Sequence, residues 1–537
     1  MTETKKEVKV LFSTEARRAL FKGLDVTARV VGATLGPKGR CVIIQTEDDA
    51  PPVVTKDGVT VSKSIRLKDP AARMGAQLIR EAASQTNDVA GDGTTTATVL
   101  THAMVKAGIK LLEAGHSPRE LCNDLERTTD AVCNFLREFA TPVASREDLV
   151  QVATVSANGD VEMGELIGDA MTRVGRDGVV TVEDAKGTTT SLEVVEGTRF
   201  DRGYLSPYFV TDSSKMVAAY DNAKVLLVDG KVSSLKDVVP LLEHCLRSSL
   251  ALIIVADEVD GDAMQGLVVN RVNSRLKVVA VRTPGHGRTR EENLTDLAKL
   301  TGATVLGPST GTSLTACEPS KHLGTAKRIV VDAKSTTLVG DGSAADAVTK
   351  HVEELRTRAA DPTIEPEEVA HLRQRAARLA SGVAVIKVGG ATELEMVERR
   401  HRLEDAINAT RAAAEEGVVP GGGLALNFAG TTLSRTLTLT PGARIVLEAC
   451  DEPVRKIVEN AGGHPSVVLD ALSRRREVDG RTMEPGEFGY DAASGRYVDA
   501  ARSGIIDPVK VTRTALANAA SVAVTFLSLD AAVTEDV

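Results

Sequence analysis

The chain has 537 residues, 42% of them hydrophobic, which is too long for one ordinary core and too apolar for bulk disorder. Aromatic residues make up only 3%, tryptophan is absent and the formal net charge is −9. Few stacking platforms and an acidic balance argue against nucleic acid as a partner. The six cysteines, Cys41, Cys122, Cys133, Cys245, Cys317 and Cys450, form no CxxC pair and no zinc spacing with histidine. Buried free thiols in a reducing compartment are therefore expected. The opening stretch from Met1 to Glu7 is polar and carries acids, unlike a secretory or transit peptide. No apolar run approaches the ~20 residues that a membrane helix needs. A soluble, cytoplasmic protein with no membrane partner is expected.

In chain order, Ala16, Ala19, Leu20, Leu24, Val26 and Val30 recur at helical spacing and predict a helix from about Thr14 to Leu35. The run Thr34-Leu35-Gly36-Pro37-Lys38-Gly39-Arg40 breaks it. Short strands follow at 41–44 and 53–55. Thr55-Lys56-Asp57-Gly58-Val59 reads as a tight turn with two charges at its tip. A helix from about Ala71 to Asn87 leads into a glycine-rich stretch, and helices continue to Arg137, broken at Gly115 to Pro118. Residues 152–160, Asn158 among them, read as a strand or loop end before another helix. Strands are expected at 178–183 and 191–195.

Between Lys224 and Leu306 the apolar runs Val225–Val228, Ala251–Ala256 and Lys277–Val281 alternate with amphipathic helices. Strands without polar alternation, separated by helices, predict a parallel sheet buried on both faces. The region lacks GxGxxG and GxxxxGK[ST], so neither dinucleotide nor P-loop chemistry is supported there. A charged helix over 364–379, a strand over 382–389 and a long charged helix from Glu393 to Glu416 follow. Gly421-Gly422-Gly423 forms a second glycine-rich turn before a mostly helical remainder, with a loop near Asp479 to Gly486. No internal repeat or low-complexity tract is seen.

The stretch Val89-Ala90-Gly91-Asp92-Gly93-Thr94-Thr95-Thr96-Ala97 carries the most chemistry. Glycine lets backbone N–H groups approach a ligand, and the first N–H groups of a helix lack partners at its positive end, which suits phosphate. Asp92 supplies a hard oxygen of the kind Mg²⁺ prefers. By itself an aspartate between glycines is a turn, and a threonine after glycine is a cap. The neighbouring motifs favour the phosphate reading.

With these motifs together, the chain resembles the group I chaperonins, the GroEL/Hsp60 family. The resemblance runs from about Val8 to Asp530. It rests on Thr34–Arg40, Thr55–Val59, Asn87–Leu100, Asp201-Arg202-Gly203-Tyr204-Leu205-Ser206-Pro207-Tyr208-Phe209 and Ala412–Gly423. It implies a discontinuous, multidomain α and α/β fold. A mostly helical equatorial domain would join 1–138 and 416–537. A small intermediate domain would join 139–195 and 384–415. An α/β apical domain would span 196–383.

The resemblance also implies an ATPase coupled to protein folding. Thr34, Leu35, Gly36 and Pro37 would line the ATP, with Lys56 near its phosphates. Asp92 would hold Mg²⁺, and K⁺ could accompany it. Gly93, Thr94, Thr95 and Thr96 would wrap the phosphates, while Gly421, Gly422, Asp491, Ala492, Ala493 and Asp507 would surround base and ribose. Asp57 and Asp405 would position the attacking water, Asp405 being delivered by domain closure. Non-native clients and a co-chaperonin of the GroES/Hsp10 type would meet an apolar face made by Tyr204, Tyr208, Phe209, Val239, Leu242, Met264, Val268 and Val269. Apolar stripes of this kind usually face a core. The subunits would form seven-membered rings, one or two per particle.

The chain departs from the family pattern in four places. It ends Ala531-Ala532-Val533-Thr534-Glu535-Asp536-Val537, with no Gly-Met repeat. Gly463 and His464 stand where acidic residues commonly help to join two rings, which puts the second ring in question. His286 replaces a phenylalanine, and Asp491 replaces an asparagine that contacts the base. These departures fit a divergent paralogue or a phage-borne version. The alternative function is a chaperonin-like holdase or scaffold with weak ATPase and no encapsulation cycle. A small-molecule enzyme built on residues 224–306 is a third reading, but no nucleophile–base pair is evident there.

Overall fold

The computed structural model describes residues 8–45, 52–143, 145–157, 159–175, 178–185, 188–195, 197–213, 216–273, 276–308, 310–361, 364–390, 392–478 and 480–535. The expectations for Met1 to Glu7, Asn158, Asp479, Asp536 and Val537 lie outside these residues. The chain divides into two compact units, one formed by Met1–Gly168 with His401–Val537 and the other by Asp169–Arg400.

The first unit is a helical body. The helices Ser13–Gly32, Pro70–Ala90, Thr94–Glu113, Pro118–Glu138 and Val509–Leu527 enclose a core that includes Leu20, Leu24, Ile79, Leu100, Met104, Leu125, Leu136 and Phe526. Of the apolar positions foreseen in the first helix, Ala16, Leu20 and Leu24 are buried and Ala19 and Val30 half-buried, whereas Val26 is exposed. Asp69 caps the Pro70–Ala90 helix through Ala71 N–H, and proline occupies its first turn, where no N–H is needed. The strand Val8–Phe12 pairs antiparallel with Ala531–Glu535, so both ends of the described chain are tied together.

The second unit is built on a seven-stranded sheet. Its parallel part is Ala218–Val228 beside Ala251–Ala256, and the latter beside Val278–Arg282. Val225, Leu226, Leu227, Ile253, Ile254 and Val279 are all buried, because helices cover both faces. The sheet is mixed rather than parallel. Gly324–Val331 runs antiparallel to Ala218–Val228, and Thr336–Val339 and Gly197–Phe200 continue it antiparallel. A separate three-stranded sheet places Val383–Val388 parallel to Val179–Asp184 and antiparallel to Ser191–Val195.

Three local expectations need correction. Residues expected as a strand or loop end near 152–156 belong to the helix Arg146–Ser156, started by a capping box in which Ser145 and Asp148 satisfy each other's backbone N–H. That cap overrides the β-branched composition of the segment. Thr55–Val59 is not a plain turn, since Asp57 caps the helix Gly58–Ser64 by accepting from Val59 N (3.2 Å) and Thr60 N (2.8 Å). The loop near 479–486 contains a hairpin of Arg476–Val478 with Arg481–Met483. Among the thiols, Cys41 is exposed and Cys317 half-buried; the other four are buried. Burial pushes Cys133 and Cys245 up to about 11. Among the described residues, no helix is long and apolar enough to cross a membrane.

Candidate functional site

In the helical unit the glycine-rich stretch forms the gap between two helices. Pro70–Ala90 ends at Gly91 with φ 73°, and Thr94–Glu113 begins after Gly93. Gly93 has no side chain with which to cap, so the first-turn amides of Thr94, Thr95 and Thr96 lack an intrahelical acceptor. Asp92 occupies the turn and accepts from Gly93 N at 2.5 Å.

Gly58 brings the second turn against this helix start. A Cβ there would lie 2.7 Å from Thr95 Oγ1 and 2.8 Å from Thr94 Oγ1, so only glycine allows the approach. Lys56 and Asp57, just before it, are exposed. Lys56 makes no ion pair with any described residue. The third turn is Gly421–Gly423, whose Gly422 N–H donates to Asp507 Oδ2 at 2.9 Å. The fourth, at 34–40, is pinned by Asn460, which donates to the Gly32 and Leu35 carbonyls at 2.9 Å each.

The electrostatics report the proximity of these turns. Desolvation first, and then the Asp57 charge, push the Asp92 carboxyl above its usual range against the lowering effect of the Gly93 N–H. The Asp92 side chain still reaches solvent, so protein crowds it on most sides but leaves it open. Desolvation and the Asp92 charge push Asp507 up to about 6. Asp57 thus repels Asp92, and Asp92 repels Asp507, around a helix N-terminus, an arrangement that a cation would relieve. Among the described residues, no group of three or more His, Cys, Asp or Glu side chains forms a ready-made metal cage. Mg²⁺ takes one or two carboxylates and completes its shell with phosphate oxygens and water, a set that Asp92 could join. The residues present fit the ion.

Asp405 lies on the helix Glu393–Glu416 and is exposed. Three residues on, Asn408 abuts Gly91, whose absent Cβ would fall 2.5 Å from Asn408 Cβ. Ala412 packs with Ala90 and Val511. Asp405 thus projects one turn further along the side that this helix applies to the Gly91–Asp92 turn. Asp491, by contrast, is occupied locally. It accepts from Ala493 N (2.9 Å) and Ser494 N (3.3 Å) at the tip of a hairpin. Desolvation would raise its carboxyl, but these hydrogen bonds and Lys38 hold it low. Ala492 is buried and Ala493 exposed on the same tip. Asn408, Asn460 and Ile457, which packs against Gly36, escaped sequence reading because nothing local marks them.

The α/β unit divides the expected apolar face. Tyr208 is 67% exposed and Val269 56% exposed. Tyr204, Met264 and Val268 are partly buried against the core, and Val239 is half-buried. Phe209 and Leu242 are corrections to a surface assignment: both are core residues, at 0% and 6% exposure. Phe209 ends the short turn Pro207–Phe209 and is buried there, and Leu242 shares the inner side of Leu235–Arg247 with Val238, Leu241 and Cys245. Sequence reading missed Val272, 57% exposed beside Val269 on Gly261–Val272, and Leu246, 53% exposed.

The family model for TCP-1/cpn60 chaperonins matches residues 27–536. The chain belongs to this chaperonin family. Its fold is that of chaperonin gp146 from bacteriophage EL 2 (Pseudomonas aeruginosa), crystallised in the presence of ATP-BeFx. In one crystal form the TM-score is 0.67 at 20% identity, covering 98% of this chain and 99% of that one. In a second form the TM-score is 0.62 at 19% identity, with the same coverage. The chaperonin described here therefore combines a helical body and an α/β unit in one discontinuous fold.

Proposed function

We propose that this chaperonin is an ATP-dependent ring machine of the group I type that captures non-native proteins on an apolar face and encloses them with a co-chaperonin. The equatorial, intermediate and apical divisions would be those given above. The observation that carries the reading is the open helix start at Thr94–Thr96, with Asp92 in front of it, Asp57 and Lys56 on one side and Asp507 on another. Uncapped amides suit phosphate oxygens, and crowded carboxylates suit a phosphate-bound cation. The phage protein named above was crystallised in the presence of ATP-BeFx, which supports the same reading.

In this mechanism Thr94, Thr95 and Thr96 donate amide and hydroxyl groups to the phosphates, and Lys56 adds charge. Asp92 would hold Mg²⁺, which when bound neutralises phosphate charge. Asp405 orients the attacking water, helped by Asp57. Because phosphoryl transfer needs placement and charge neutralisation more than covalent chemistry, that one carboxylate can control the rate. Asp57 is engaged as a helix cap, so its help to Asp405 comes as a fixed charge beside that water. Client capture would fall to Tyr208, Val269, Val272 and Leu246, which expose apolar surface that any unfolded chain can cover.

The test compares wild type with Asp405→Ala. ADP affinity should be retained while ATP turnover falls on the order of 10²-fold or more. Refolding of a denatured client should fail. Wild type without nucleotide affinity would overturn the reading. Equal refolding by both proteins would favour the holdase alternative.

A further inference from the structure

The helical unit contains a cavity of about 560 Å³ that the mechanism does not use. It lies beside the bridge between residues 141 and 418. There, Thr141 and Val418 exchange two backbone hydrogen bonds, of 2.8 and 2.9 Å. Its apolar lining includes Phe139, Val143, Val152, Val419, Met483 and Ile506. One side is the Arg146–Ser156 helix and the other is the hairpin that ends at Met483. The size falls in the ordinary range for small-molecule sites.

The charges at its edge are unequally committed. Asp148 is closed into the capping box with Ser145. Asp499 holds Arg502, accepting from its backbone N at 3.0 Å and facing its Nε at 3.5 Å. Glu487 accepts from Glu484 N at 2.9 Å. Gln151 donates to the Ala501 carbonyl at 3.2 Å. Arg481 is exposed at the cavity, and its side chain makes no hydrogen bond or ion pair with any described residue. Backbone hydrogen bonds do not remove the charge of Asp148 and Glu487, but Arg481 is the charged side chain of this lining that has no partner among the described residues, and it stands over an apolar floor.

We propose that this cavity binds a small amphipathic anion, an apolar body of about eight to twelve carbons ending in a carboxylate that pairs with Arg481. The site owes nothing to the nucleotide reading, and it is tested without nucleotide so that the two can fail separately. Octanoate is titrated calorimetrically into the full-length protein, with octanol as the uncharged control. One saturable octanoate site per chain is expected. Arg481→Ala should weaken octanoate about tenfold and leave octanol unchanged, since one charge-assisted pair is lost. Val152→Trp should fill the cavity and abolish both. Arg481 is exposed, so its variant keeps the test sound even if Val152→Trp folds poorly. Tyr208→Ser with Val269→Ser should leave the site intact. No saturable octanoate binding, equal affinity in Arg481→Ala, or loss of the site in the Tyr208/Val269 variant would each overturn the proposal.

Discussion

In the helical unit the candidate site is made of backbone, glycine and a few carboxylates. In the α/β unit it is made of apolar side chains left over from a core. Gly58 and Gly91 have no side chain because Thr94, Thr95 and Asn408 occupy the space. Tyr208 and Val269 have large ones because nothing in their unit covers them. A backbone site demands atomic spacing and fails abruptly when that spacing is spoiled. A site of exposed apolar area is graded, since each side chain contributes in proportion to the surface it offers.

The largest expected effect therefore comes from one added side chain. Gly58→Val would drive its branched carbon into Thr94 and Thr95 Oγ1, and should weaken ADP binding on the order of 10²-fold, about 3 kcal/mol. Circular dichroism would check that the helices persist. Binding close to wild type would break the contrast drawn above.

Neighbouring residues sharpen the α/β side. Phe209→Ala removes a fully buried ring and should cost that unit about 3–5 kcal/mol in denaturant unfolding. Tyr208→Ser removes an exposed ring and should leave stability within about 0.5 kcal/mol, while lowering retention of an unfolded client severalfold. If both variants lose stability equally, Tyr208 is a core residue and the capture face is smaller than described.

The smallest effect concerns the C-terminal end of the long helix Glu393–Glu416. Glu416 takes a paired hydrogen bond from Arg513, at 3.0 Å from Nε and 2.6 Å from Nη2. That hydrogen bond, opposed by desolvation, holds the carboxyl below its usual range. A lowered folded-state value means the contribution is present above the unfolded value, about 4.3, and is lost as pH falls through the folded one. Glu416→Gln should thus lower the thermal midpoint by a few degrees at neutral pH, and the difference should vanish in acid. A difference that persists in acid would assign the loss to packing instead of charge.

Much of the architecture was readable along the chain. Helical spacing located Ser13–Gly32 to within a few residues, the Gly93–Thr94 start and the break at Gly115 bracketed Thr94–Glu113, and continuous apolar runs located the strands Ala251–Ala256 and Val278–Arg282. The helix Arg146–Ser156 was not readable from composition, since a two-residue capping box decided it. Phe209 and Leu242 were misjudged because an apolar residue looks the same whether it faces a core or water.

By itself, the sequence determined the family, the two glycine-rich turns and the placement of the Asp92 stretch at a helix start. These depend on neighbours in the chain, where spacing and conformational preference act directly. Only the tertiary structure decided that Asn460 would hold the turn at 34–40, that Asn408 would bring the Asp405 helix against Gly91, and that Arg481 would be left uncommitted beside a cavity. Those pairings join residues hundreds of positions apart. They arise from which surfaces are buried together, and no local pattern of residues records that.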